Sequence, residues 1–305
     1  MSAIVTGNFA SDLLPMVKFW AGEALKMPTY YDKLVSSVKC NSNYHVEAIR
    51  DSLGSLQRKN EDSDGVYDTA AQAFTPTYQP VAYALGFKIS HEAQQDGNAV
   101  LKAETFSKDL MVSAVQLRER IVANLYNNAF AASSVTMLNG DGKTMVASDH
   151  PTHGSTQSNL ITGGSIDLSE AALDALRIQV RKALNHRGMR TGLMIDKLIV
   201  SVDDEGNANR IVYSDGRVAT ADNDLNWIAK SNMFPGGIVT SPYLTDTDAY
   251  FVTTSAPHGA QLLVREEPSI DSSGEFDSKT AKFMVYMRLA AGWTDWRQVY
   301  GSAGV

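Results

Sequence analysis

The feature that most restricts how this chain can fold is one long run of helical periodicity entered directly from a strand. Leu110, Ala114, Leu117, Ile121 and Leu125 recur at spacings of three and four, and Lys108, Arg118, Glu119 and Arg120 fall largely off that stripe. The pattern predicts a single helix from roughly Asn98 to Asn128. At about 1.5 Å per residue it would be a rod of about 45 Å, well beyond the usual length of about 11–12 residues. A rod of that length needs a structural reason, such as a spine along an elongated domain. Upstream, Val81, Tyr83, Leu85, Phe87 and Ile89 alternate with Ala82, Ala84, Gly86 and Lys88. A strict period of two predicts a strand with one bulky and one small face. Ser90 can cap a short turn before Asp96 and Gly97.

The segment before that strand, Leu56 to Pro76, is polar and turn-rich, and Glu61, Asp62, Asp64 and Asp68 make it acidic. It reads as a loop or hairpin tip, and with the strand at Val81–Ile89 it suggests a two-stranded excursion returning to the body. Near the start, Leu13, Leu14, Val17, Phe19 and Trp20 are apolar but interrupted by Pro15, which favours a short helix or an extended arm over a long helix. Those apolar groups need either their own domain or a partner surface to cover them.

After the long helix, residues 132–166 are rich in Gly, Ser, Thr, Asn and Asp and read as loop. Asp167 to Glu170 opens a second amphipathic helix through about Asn185, with Leu173, Leu176, Val180 and Leu184 on its apolar face and Gly188 as its stop. A buried strand is expected from Lys197, a further helix over Asn223–Ser231, and strands from Gly237 and Ala249. Helix and strand in repeated succession indicate a compact α/β or α+β unit. The end returns to β, with strands at Gln261–Arg265 and Lys282–Leu289 around a polar turn near Asp271.

Composition removes several functional classes. The 305 residues carry a formal net charge of −7 and a sequence pI of about 5.4. High affinity for DNA comes mainly from Lys and Arg neutralising phosphates, so a general polyanion binder is not expected. Cys40 is the only cysteine, so neither an intrachain disulfide nor a thiolate metal cage can form. Only Lys18 is basic in the first twenty residues, which hold no apolar run of leader length. No apolar stretch approaches the ~20 residues of a membrane span. The expected setting is aqueous and reducing.

Chemical motifs are weak throughout. Asn60, Asp62, Asp64 and Gly65 match the first half of a calcium loop, but Ala71 stands where a bidentate Glu is required. Gly140 to Thr144 ends like a phosphate loop, yet Met137 occupies the position of its first glycine. Asp149, His150 and His153 are the best metal candidates, since catalytic zinc uses His with a carboxylate. Pro151, however, prevents a regular helix through the pair. Asp203, Asp204 and Glu205, and likewise Glu266 and Glu267, are adjacent carboxylates that diverge along the chain. No catalytic constellation emerges, so catalytic, cofactor and metal sites are all expected to be absent.

Taken in order, several segments resemble the major capsid proteins of tailed phages, the Hong Kong phage type of fold, and in particular its Mu-like head-protein branch. They are VAYALGFKISHEA with the long helix, ASDHP, SNLITGGSIDLSEAALDAL, the stretch from DNDLNWIAKSNMFPGG to APHGAQLLVRE, and the closing GWTDWRQVYGSAG. The resemblance covers roughly residues 70–305. It implies an α+β subunit with an N-terminal arm over 1–28 and a peripheral domain over 29–49, 90–166 and 255–305 that holds the long helix as its spine. An extended β-hairpin loop would occupy 50–89, and an axial domain 167–254. It further implies self-assembly through pentamers and hexamers into an icosahedral head around double-stranded DNA, bound without sequence preference. Portal protein, a separate scaffolding protein and a decoration protein are the implied partners; the setting is the virion, assembled in the host cytoplasm. Relatives in which Lys–Asn cross-links form draw attention to Lys59 and Lys88, but no partner Asn or catalytic Glu can be assigned. The alternatives are an encapsulin-type nanocompartment shell and a soluble metallohydrolase built on His150 and His153.

Overall fold

The computed structural model describes residues 9–24, 26–49, 53–61, 64–69, 73–90, 92, 99–131, 137–138, 140–153, 155–216, 225–275 and 280–305. Two four-stranded sheets, bridged by one long helix, share a continuous apolar core. The chain begins with α1 (Phe9–Ala24), α2 (Tyr31–Leu34), β1 (Ser36–Lys39) and β2 (His45–Val46). It continues through β3 (Thr77–Tyr78), β4 (Val81–Ile89) and the long helix α3 (Ala99–Asn127). Next come β5 (Met137–Leu138), the small hairpin β6 (His150–Thr152) and β7 (Ser155–Gln157), and α4 (Glu170–Arg181). Then follow β8 (Ile195–Val200), α5 (Glu205–Tyr213), α6 (Trp227–Lys230), β9 (Ile238–Thr240) and β10 (Tyr250–Thr254). The chain closes with β11 (Ala260–Glu275), β12 (Thr280–Trp293) and β13 (Val299–Ser302).

The first sheet has the order β1-β11-β12-β4. Its centre is the hairpin β11–β12, in register from Ala260↔Trp293 to Glu275↔Thr280, with an irregularity between Val264 and Ser269. Strand β4 lies antiparallel to β12, and Phe87 stacks on Phe283 at 5.1 Å. Phe87 also meets Phe106 of α3 at 5.5 Å, which ties sheet to helix. Gly86 is required here: a Cβ would sit 2.6 Å from the Phe283 carbonyl oxygen, so only glycine lets the strands approach this closely.

The second sheet has the order β13-β10-β8-β9. Leu198, Ile199 and Val200 are fully buried, as a strand covered on both faces requires. The end of α3 docks on this sheet through Tyr126 and Phe130, which meet Phe251 at 5.2 and 5.5 Å. Strand β13 pairs with β10, so the last segment of the chain leaves the first sheet after β12 and completes the second.

The long helix ends where its periodicity ends, but its buried surface is wider than the five-residue stripe. Of the stripe, Leu110 and Ala114 are buried and Leu117, Ile121 and Leu125 partly so, while Met111, Glu119, Val122, Ala123 and Tyr126 are buried beside them, because α1, α2 and both sheets touch the helix. Other elements differ from expectation for local reasons. Helix α1 runs sixteen residues through Pro15. One lost backbone bond is outweighed by packing, since Val17 and Ala21 are buried, and Leu14 and Trp20 pack on the core. Helix α4 stops at Arg181, short of Asn185, because residues 182–191 form a turn closed by a Leu184↔Arg190 bridge. Ser169 caps its start, accepting the Ala172 amide at 3.2 Å. The polar turn expected near Asp271 is strand, as β11 continues to Glu275 opposite Thr280. Helix α5 arises where only a carboxylate run was apparent; Ala208, Ile211 and Val212 form its buried face. Of the helix expected over Asn223–Ser231, Trp227–Lys230 is helical, and residues 217–224 lie outside the described residues.

Candidate assembly surfaces

Among the described residues the polar excursion is a hairpin only at its stem. The Glu47 and Ile49 amides donate to Pro76 and Phe74, and the Ala73 amide donates back to Ile49, each within 2.9–3.0 Å. Strands β2 and β3 continue that ladder, and β5 adds to it. The described residues between 53 and 69 contain no strand. The expected two-stranded excursion is corrected accordingly: Val81–Ile89 is not a return limb but the edge strand of the first sheet. Its ladder is with β12 on one side, and the other side is an open edge among the described residues.

Above the stem the loop has a neck. The Gly54 amide donates to Asp68 Oδ2 at 2.7 Å, across fourteen positions of chain. Arg187, in the turn after α4, donates from Nη1 to both Asp68 oxygens at 2.7 and 3.0 Å, and from Nη2 to the Thr69 carbonyl. Asp68 is held below the usual carboxylate range by the Gly54 amide and by this guanidinium. The turn that presents Arg187 is itself fixed: Asn185 Oδ1 accepts the Arg187 and Met189 amides at 3.0 and 2.8 Å, and Gly188 takes φ +80°.

Around and beyond the neck the loop displays apolar side chains that are exposed among the described residues. Leu56 and Tyr67 are 103% and 95% exposed, and Leu53 and Val66 are also exposed. Isolated exposed apolar residues are ordinary; several gathered on one excursion mark a contact surface. The bulky face of β4 is open too at Val81 and Leu85, while Met284, opposite Gly86, is exposed on the other face. A cleft of about 110 Å³ between β4 and α3 is lined by Tyr83, Leu85, Leu110, Leu117, Val285 and Met287, among others. On α1, Phe19 and Met16 face outward. Part of the apolar set at the N-terminus is therefore covered by its own chain, through Val17 and Ala21, and part is not.

The residues singled out for chemistry are not gathered into a site. His150 is fully buried, with Nδ1 2.5 Å from Asp141 Oδ2 and Nε2 3.0 Å from Asn159 Oδ1. The Asn159 amide nitrogen donates to the Met145, Trp296 and Val299 carbonyls at 2.7, 3.2 and 2.8 Å. That fixes its orientation, so His150 donates to it through Nε2. The imidazole stacks on Trp296 at 4.7 Å and 5°. Asp141, the carboxylate of the phosphate-loop look-alike, is thus committed to a histidine. Asp149 points elsewhere and pairs with Lys143. His153 is exposed, and its backbone amide donates to His186. Among the described residues no group of three His, Cys, Asp or Glu could hold a metal.

Other candidates are equally dispersed. Glu267 pairs with Arg118, and Glu205 opens α5. Burial raises the pKa of Asp204. Asp62 and Ala71 of the calcium frame lie outside the described residues. What the sequence reading missed is Asn159, Trp296 and Arg187, which join segments far apart in the chain. Their residue types are common and their spacing carries no period; only the exposed Leu56, Val66 and Tyr67 within an acidic loop offered a signal.

A second buried network joins the excursion's stem to the first sheet. Tyr78 is fully buried and hydrogen-bonds Thr294, and Gln261 Nε2 donates to Thr294 Oγ1 at 2.9 Å and to Glu47 Oε2 at 2.6 Å. Burial pushes the Tyr78 phenol up to about 12. Gly292 leaves room for its ring, since a Cβ there would lie 2.4 Å from Tyr78 Cε1.

The architecture matches solved shell proteins at low sequence identity. The capsid of a native GTA particle aligns with a TM-score of 0.56 at 13% identity, covering 90% of this chain and 90% of that one. The capsid of the myovirus phage XM1 gives 0.54 at 11%, covering 90% and 91%. A virus-like particle of Pyrococcus furiosus gives 0.53 at 12%, covering 95% and 99%. These likenesses establish the Hong Kong phage type of fold. No curated protein sequence matches the chain. A family model does, over residues 74–302, and the chain belongs to the phage capsid protein family.

Proposed function

We propose that the chain is the major shell subunit of a tailed-phage head, assembling with copies of itself as pentamers and hexamers around double-stranded DNA. The family match across three quarters of the chain supports a shell role. The observation that carries self-assembly is the excursion with its uncovered Leu56, Val66 and Tyr67. A monomer gains nothing from exposing these groups, whereas a neighbour can bury them. In this reading residues 1–28 act as arm and 167–254 as axial domain, the part of 50–89 that precedes Val81 acts as extended loop, and the remaining segments, β4 included, form the peripheral domain.

The net charge of −7 suits a wall that surrounds DNA without gripping it. A portal protein and a separate scaffolding protein are the expected partners, with a decoration protein as an optional addition, and assembly takes place in the host cytoplasm before the shell becomes part of the virion. Membership in the Mu-like branch rests on sequence resemblance alone. The fold is shared with the virus-like particle of Pyrococcus furiosus, so fold alone does not separate a phage head from a nanocompartment; the family match favours the phage head. The subunit acts structurally, with no catalytic step. The test is electron microscopy of the purified protein with and without co-expressed scaffolding protein. Shells or capsomers support the proposal, and a compact monomer under all conditions refutes it.

A further inference from the structure

We infer that Arg187 is a positioning residue for assembly: it clamps the neck of the excursion to the turn after α4, so that the loop is placed before a neighbour arrives. This rests on the shell-subunit reading above. The geometry is a three-way tie. The Asp68 carboxylate receives the Gly54 amide from one limb of the loop and Arg187 from outside it, and Arg187 also takes the Thr69 carbonyl of the other limb. The Gly54 amide closes the neck on Asp68, and the guanidinium holds that carboxylate and the Thr69 carbonyl in place. The Asp68 Oδ1 oxygen also accepts the Thr69 amide at 2.8 Å, so every described hydrogen bond to this carboxylate comes from the neck or from Arg187.

The tie matters because of what flanks it. Leu53, Leu56, Val66 and Tyr67, all exposed, lie within three residues of Gly54 or Asp68. Fixing the neck fixes the apolar groups that a second copy of this chain would cover. Among the described residues the stem's ladder reaches Ile49 and Ala73, several positions short of Gly54 and Asp68. Ordering a loop costs conformational entropy, and a loop already held in its bound position raises affinity by removing that cost from the binding step. The turn carrying Arg187 is rigid enough to act as the anchor, because Asn185 bonds it twice and Phe74 of the stem meets the His186 ring at 6.1 Å. Lysine is a poorer replacement, because its single ammonium lacks the planar fork by which two arginine nitrogens reach Asp68 and the Thr69 carbonyl.

The test uses full-length subunit kept below its assembly concentration, then the same sample above it. Hydrogen exchange of the Gly54 amide reads the clamp without any assembly. In Arg187→Ala and Arg187→Lys this amide should exchange at least tenfold faster, with α3 unchanged and the circular dichroism spectrum intact. The same variants should raise the concentration needed for assembly about tenfold or more. Unchanged exchange at Gly54 would show that the clamp does not order the neck. Accelerated exchange with assembly equal to or easier than wild type would show that the clamp does not help assembly, and either result overturns the inference. Failure of the wild-type protein to assemble at all would instead refute the shell reading, leaving the exchange result to decide whether the clamp exists.

Discussion

Replacing His150 with alanine should destabilise the subunit severely, although the residue only opens the short hairpin β6–β7. The ring is fully buried and engages Asp141 and Asn159 through its two nitrogens. Its removal leaves the Asp141 carboxylate, whose side chain is 3% exposed, without its imidazole hydrogen-bond partner. Breaking a buried pair from one side costs about 3–5 kcal/mol. The imidazole also leaves a void beside Trp296, against which it stacks at 4.7 Å. With about 2.1 cal/mol/K of unfolding entropy per residue, a chain of this length has about 0.6 kcal/mol/K in all, so Tm should fall by about 5–8 °C. Denaturant and thermal unfolding of the unassembled subunit measure this. The adjacent exposed residues serve as controls: His153→Ala and Asp149→Asn should stay within about 0.5 kcal/mol of wild type. The double variant Asp141→Ala with His150→Ala should lose less than the sum of the two single changes, because the orphaned charge is gone. A His150→Ala subunit within about 1 kcal/mol of wild type would refute the reasoning, and so would zinc bound stoichiometrically and lost with the variant.

Three further outcomes follow from other parts of the molecule. Gly292→Ala should cost about 1–3 kcal/mol in the same unfolding assay, because its methyl would meet the Tyr78 ring at 2.4 Å; a neutral result would mean that the ring can shift. Glu119 is buried, accepts the Tyr30 amide at 2.7 Å, and has its pKa raised by burial. Since the folded value is raised, protonation favours the fold: wild type should gain on Glu119→Gln as pH falls through that value, the gain being complete below 4.5; stability curves that stay parallel would contradict this. Replacing Ser55–Tyr67 with a short Gly-Ser linker leaves the stem and Val81–Ile89 in place. Helix content should be unchanged while assembly is lost, since a small defect at each contact is multiplied around a shell; closed shells from this variant would remove the excursion from the assembly surface.

How much of this was legible in the sequence depends on whether the signal was local. The long helix and β4 were readable because Leu110 to Leu125 and Val81 to Ile89 each repeat with one period, and backbone hydrogen bonding follows period. Helix α4 was readable at its start, where Ser169 caps it, but not at its end, because the stop is set by the Leu184↔Arg190 bridge and by Asn185. Helix α5 was missed because its apolar face is only three residues wide. Nothing in the spacing of Asp141, His150, Asn159 and Trp296 announces that they meet; that knot forms only when the C-terminal segment folds over the loop. The same holds for Asp68 and Arg187, which are 119 positions apart. The capsid resemblance was visible before the structure because it rests on the order of many short segments, each weak by itself.

The most direct measurement is electron microscopy of the purified full-length protein, paired with light scattering across a range of salt and protein concentration. The account predicts pentameric or hexameric capsomers, tubes or closed shells, appearing above a threshold concentration and absent when Ser55–Tyr67 is excised. A stable monomer at every concentration and salt, with or without co-expressed scaffolding protein, would contradict it.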